Sequence, residues 1–127
     1  MNLRAVRQPD GSVNLTGVQG KTWVLQLSLT QDTGAPLDIS GWVVRGQIRR
    51  TYKSDAVVAT WECSVEDGPG GKVFVMVKAD DTAKIPCGNS ANDALSKYVY
   101  DIEAQDPTGY VLELLRGRLF VLPEVTR

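Results

Sequence analysis

The chain contains no histidine, and the residues whose types and spacing could still do bond chemistry are its paired carboxylates. The missing histidine removes the commonest general base and the commonest zinc ligand. Nucleophilic machinery of the serine–histidine or cysteine–histidine type is excluded with it. Three acidic pairs remain: Asp101 with Glu103, Asp80 with Asp81, and Glu66 with Asp67. Two carboxyl groups can share acid–base work when a cleft holds them and one pKa is raised. The spacing here points instead to a solvated strand face for Asp101 and Glu103 and to a helix cap for Asp80 or Asp81. Glu66 and Asp67 lack the alternating ligand spacing of a calcium loop. Gly68 to Gly71 lacks the Lys-Ser/Thr ending of a phosphate cradle, and a strand rather than a helix follows it. Cys63 and Cys87 without histidine make a poor zinc site. Their number permits one disulfide, but a cytoplasmic setting favours free thiols. No catalytic, metal-binding or cofactor-binding residue is assigned, and the expectation is a protein that is not an enzyme.

The one basic and aromatic cluster is Arg45, Arg49 and Arg50 with Tyr52 and Lys53. The 14 basic and 15 acidic residues nearly cancel, giving a net charge of -1. That balance speaks against broad nucleic-acid binding, so the cluster reads as a solvated strand face or as salt bridges to another protein. No apolar run approaches the length of a bilayer span. The first ten residues carry Arg4 and Arg7 but no apolar core, so no secretory signal is read there. The expected route is synthesis in a cytoplasm, followed by assembly rather than export.

The elements that must position these residues show a two-residue period. Trp23, Leu25, Leu27 and Leu29 alternate with Val24, Gln26, Ser28 and Thr30, which predicts a half-buried strand. Trp42 to Arg50 predicts a second, with Arg45, Gln47 and Arg49 facing away from Val44 and Ile48. Ala56 to Val65 and Lys72 to Lys78 form a predicted hairpin around Glu66 to Gly71. In the latter strand Val73, Val75 and Val77 take one face, Phe74 and Met76 the other. Ala79 to Ile85 predicts a single helical turn stopped by Pro86, and Cys87 to Ser96 reads as a polar loop. Lys97 to Gln105 and Tyr110 to Leu122 follow, joined by the turn Asp106-Pro107-Thr108-Gly109. A bulge near Arg116 and Gly117 is needed so that the arginines stay outside while Leu119 and Val121 turn inward. With a further strand around Val13 to Thr16, the expectation is an all-β, immunoglobulin-like sandwich of about seven antiparallel strands with one short helical turn. An up-and-down barrel is the alternative. Residues 1–12 read as an N-terminal arm and residues 13–127 as a single domain.

Three stretches carry a resemblance. They are Leu37-Asp38-Ile39-Ser40-Gly41-Trp42 with Arg45 and Gln47-Ile48-Arg49, then Tyr98-Val99-Tyr100-Asp101-Ile102-Glu103, and then Leu115-Arg116-Gly117-Arg118-Leu119 through Val121 to Arg127. In this order they resemble small structural proteins of tailed bacteriophages, and are similar to the immunoglobulin-like N-terminal domain of phage upper baseplate proteins. The resemblance implies a virion component, assembled in the bacterial host cytoplasm, that contacts other tail, baseplate or fibre proteins and copies of itself. In baseplate proteins a long helix and a connector or receptor-binding region follow such a domain. Here the sequence stops at Arg127, which favours an adaptor or decorating part. Capsid decoration or a head-fibre base is the alternative. A carbohydrate-binding module with Trp23, Trp42 or Trp61 as its stacking platform is a further one. The candidate interface residues are Phe74, Met76, Phe120, Leu122, Arg45 and Arg49. No cofactor, nucleic acid or membrane partner is expected.

Overall fold

The computed structural model describes residues 3–87 and 96–125, with only the main chain considered at Ser96. Eight strands and one helical turn follow one another: β1 (Arg4–Arg7), β2 (Val13–Val18), β3 (Trp23–Ser28), β4 (Val43–Arg49), β5 (Ala59–Asp67), β6 (Lys72–Val77), α1 (Ala79–Thr82), β7 (Ser96–Gln105) and β8 (Val111–Leu122). They join in one sheet of order β1-β2-β8-β7-β4-β5-β6-β3. β5 is the fold line. Its residues Ala59, Thr60 and Trp61 pair with β4, whereas Glu62 to Val65 pair with β6. The sheet therefore doubles over on β5 into two leaves, a broad one ending at β1 and a narrow one ending at β3.

The core lies between the leaves. Val73, Val75 and Val77 of β6 and Trp23 and Leu25 of β3 meet Ile48, Tyr98, Tyr100, Ile102, Leu119 and Val121 of the broad leaf. Full burial of each such side chain stabilises by roughly 1.5–3 kcal/mol. Trp61 and Tyr100 meet edge to face, with ring centroids 6.1 Å apart. The Tyr100 hydroxyl donates to the Val13 carbonyl at 2.5 Å, tying β7 to β2 behind β8. Gly117 makes room for this, since a Cβ there would stand 2.1 Å from the Val13 carbonyl oxygen.

The predicted strand phases hold: the valines of β6 are buried, and Phe74 and Met76 lie half-buried on the opposite face. The structure corrects several expectations. The expected all-β architecture holds, with eight strands among the described residues, but β2 pairs with β8 in parallel rather than antiparallel. The parallel pair arises because the chain leaves β2 for the other leaf, and β8 arrives beside it only at the end of the path. Residues assigned to an arm include β1, which pairs antiparallel with β2. Its four side chains are all exposed, so no alternation betrayed it. The bulge in β8 sits earlier than expected. Ile102 faces Leu115 while Glu103 faces Glu113, so Leu114 is the extra residue. α1 is one turn, as expected, but Lys78 rather than Asp80 or Asp81 occupies its N-cap, without a side-chain cap. The Thr82 hydroxyl instead donates to the Lys21 carbonyl at 2.7 Å and accepts from the Gly20 amide. Cys63 and Cys87 are both free thiols. Most of the predicted polar loop from Cys87 to Ser96 lies outside the described residues.

Candidate functional site

The outer face of the broad leaf carries rows of opposed charge. Its cross-strand register sets Arg45 of β4 beside Glu103 of β7, and Glu103 beside Glu113 of β8. One step along, Gln47 faces Asp101, and Asp101 faces Arg116. Glu113 and Arg116 are three residues apart, which in a regular strand places them on opposite faces. The extra residue Leu114 returns both to the outside, where both are exposed. The bulge thus assembles the face.

Carboxylate oxygens of Asp101, Glu103 and Glu113 all come within 4.8 Å of one another. Burial pushes the Asp101 pKa up; Glu103 adds to this, and Arg116 and Arg49 oppose it. Burial likewise raises Glu113, reinforced by Asp101 and Glu103 and opposed by Arg116. Like charges this close disfavour full ionisation. The Arg45 Nε donates to Glu103 at 2.5 Å, and its Nη1 donates to Gln105 at 3.1 Å. Oxygen-seeking cations take such ligands, but the neighbouring guanidinium groups already supply positive charge. The arrangement suits a polar contact surface better than a metal centre. Sequence reading placed Asp101 and Glu103 together and missed Glu113, because the position of the bulge decides its side.

Two loops wall this face. A groove of about 380 Å³ is lined by Arg45, Gln47, Arg49, Tyr52, Asp101 and Glu103 among others. A wider one of about 890 Å³ lies along β8 beside the β1–β2 turn, with Arg7, Asp10, Tyr52, Arg116 and Phe120 in its walls. Tyr52, 61% exposed, lines both, and the Arg116 guanidinium lies 5.1 Å from its ring centre.

The predicted interface residues do not form one patch. Phe74 and Met76 lie half-buried on the outside of the narrow leaf. Met76 sits between Val24 and Glu62, and Phe74 between Gln26 and Ser64. Phe120 is half-buried between Thr16 and Lys97, and Leu122 is exposed beside Val18. Arg45 is exposed in its ion pair. Arg49 is half-buried and holds its own loop, donating to the Ser54 carbonyl at 2.8 Å and to Gln47 at 2.9 Å.

The apolar residues most open to solvent on the broad leaf were not among those predicted. Val43 (59% exposed), Tyr110 (63%) and Val111 (46%) crowd one end of it. Val43 and Val111 pair with Gln105 from either side, so both project from the same face. The clue in the sequence is their place next to the turns, where alternation no longer implies a covering layer. The tryptophans pack inward to different degrees. Trp23 and Trp61 are buried in the core, Trp42 is half-buried against it, and the Trp23 indole N–H donates to the Val18 carbonyl. Burial also pushes the Cys63 thiol up to about 11, leaving it a poor nucleophile.

No protein-family model matches this chain. No curated protein is significantly similar to it. Among solved structures it is similar to that of murine CRIg, with 11% sequence identity over 97% of both chains and a TM-score of 0.41.

Proposed function

We propose that this chain is a structural part of a phage virion, a tail, baseplate or tail-fibre attachment module that acts through protein–protein contacts. The observation that carries the contact reading is the exposed apolar end of the broad leaf, where Val43 and Val111 flank Gln105 beside Tyr110. It runs directly into the charged rows of Arg45, Glu103 and Glu113. An apolar centre with a polar, ion-paired border is how protein interfaces are built. The virion reading rests on the resemblance. Its three stretches enter or form β4, β7 and β8, which lie side by side in the sheet. They therefore constitute one surface rather than scattered similarities. Partners on this reading are other virion proteins and copies of the chain itself, brought together in the host cytoplasm.

Substituting Val43→Asp together with Val111→Lys tests the contact. Both positions are exposed, so the purified domain should keep its melting temperature, while its incorporation into particles should fall to background. Unchanged incorporation would sink the reading. Gold labelling of intact particles separates a tail position from the capsid alternative.

A further inference from the structure

β1 is held to β2 by its main chain and by one buried side chain, while the Arg7 guanidinium donates to the Gly11 carbonyl of the turn at 3.4 Å. Arg4, Ala5, Val6 and Arg7 are all exposed, and they pair with Thr16, Leu15, Asn14 and Val13 of β2. Leu3, just before them, is buried. It occupies a notch that exists because residue 17 is glycine. A Cβ at Gly17 would lie 2.9 Å from Leu3 Cδ2 and 2.6 Å from the Trp23 ring. The receptor for this segment is thus complete without it: one edge of β2, whose other edge is taken by β8, plus the notch over Trp23.

Every copy of the chain carries both the segment and its receptor. A segment from a second copy would make the same ladder and fill the same notch. What differs is the connection from Gln8 to Ser12. It holds the closed form through the Gln8 amide on the Ser12 carbonyl (2.7 Å), the Gly11 amide on the Gln8 carbonyl (3.0 Å) and the Ser12 amide on Asp10 (2.9 Å). Exchange gives up these few exposed bonds and nothing in the core. The other way for two copies to meet here, antiparallel pairing of their free β1 edges, would set Arg4 against Arg7 of the other copy. Like charges directly opposite disfavour that.

We propose that Leu3–Arg7 exchanges between copies of this chain, each copy's segment completing the β2 edge of the next. The partner is a second copy, reached reciprocally in a dimer or passed on around a ring. This rests on the reading of the chain as an assembly subunit and names one of its contacts. The closed chain prevails in dilute solution, and exchange is expected at the high local concentration of an assembly.

The test mixes two full-length variants, Arg4→Cys and Thr16→Cys, whose positions face each other across the ladder. After concentration and treatment with a short bis-maleimide, peptide mapping should find a 4–16 link between copies that outnumbers the 4–4 link. The double variant, cross-linked in dilute solution within one chain, shows that the pair is in reach. A second variant lacking Gln8 to Ser12 joins Arg7 directly to its ladder partner Val13, leaves no residue for a turn and so cannot fold its segment back, and light scattering should find it dimeric or larger. A mixture giving no excess of the 4–16 link overturns the proposal, and so does a folded, monomeric shortened chain. If the shortened chain does not fold, the mixture decides. Particle incorporation of the Val43/Val111 variant reads the virion assignment separately, so failure of one leaves the other standing.

Discussion

The outer faces of the two leaves are built differently. On the narrow leaf the register shifts only at the rim, where Glu66 is the extra residue between Val65 and Asp67, and inside that rim Val24, Phe74 and Met76 alternate regularly into a modest half-buried strip. Its border is polar, with Gln26 donating to Glu66 and Lys78 paired with Glu62 at 3.4 Å. On the broad leaf the period is broken once, at Leu114, and that break gathers three carboxylates and Arg116 on one side. An inserted residue at the rim of a leaf leaves its surface ordinary, whereas one inserted in the middle of β8 yields a concentrated surface. The bulge is also where the backbone spends a ladder bond, a cost that proteins keep where it re-aims a side chain.

Gly117→Val attacks the broad leaf where β8 runs closest to β2, and is the most damaging change expected. The added side chain meets the Val13 main chain, which cannot move without losing the Tyr100 bond. A loss of about 3 kcal/mol should appear in urea denaturation. Phe74→Ala, on the narrow leaf, removes a half-buried ring and should cost about 1.5 kcal/mol in the same assay. If the two losses are equal, the broad leaf is not the more tightly constrained of the two.

The smallest effect carries a sign. Asp101 and Glu113 have pKa values raised in the folded protein. The folded state therefore binds their protons more tightly than the unfolded chain, and their burial, with their mutual repulsion added, costs stability once both ionise. This cost is present at neutral pH and is relieved as pH falls through the raised values. Asp101→Asn should then stabilise by less than about 1 kcal/mol near pH 7, with the gain shrinking toward about pH 4. Asp10, Asp38 and Asp106, whose pKa values are lowered by hydrogen bonds within their own turns, push the wild-type profile the other way. For that reason the variant is compared with the parent at each pH. A gain that grows on acidification would remove the carboxylate cluster from the account.

Much of this architecture was legible in the sequence. Alternation placed β3, β4, β6 and β7 with the correct faces inward, because each strand has one dry side. It was silent on β1, where Arg4 to Arg7 bury nothing. It showed that β8 needs a bulge, from the clash of Arg116 and Arg118 with the leucine phase, but not where. Leu114 and Leu115 can exchange roles without changing the apolar count. The parallel meeting of β2 and β8 depends on the path of the whole chain, and no local signal encodes it. Of the candidate site, Arg45, Asp101 and Glu103 were visible as a charged face. Glu113 depended on the bulge, and Val43 and Val111 on the sheet ending there.

The parallel register of β2 and β8 has a mechanical meaning. Leu15 to Val18 lie beside Leu119 to Leu122, with the chain entering β2 at one end of the pair and leaving β8 at the other. Tension drawn through the polypeptide pulls these two strands in opposite directions along their own length. Their hydrogen bonds then take the load in shear, together, instead of peeling open one at a time from an end.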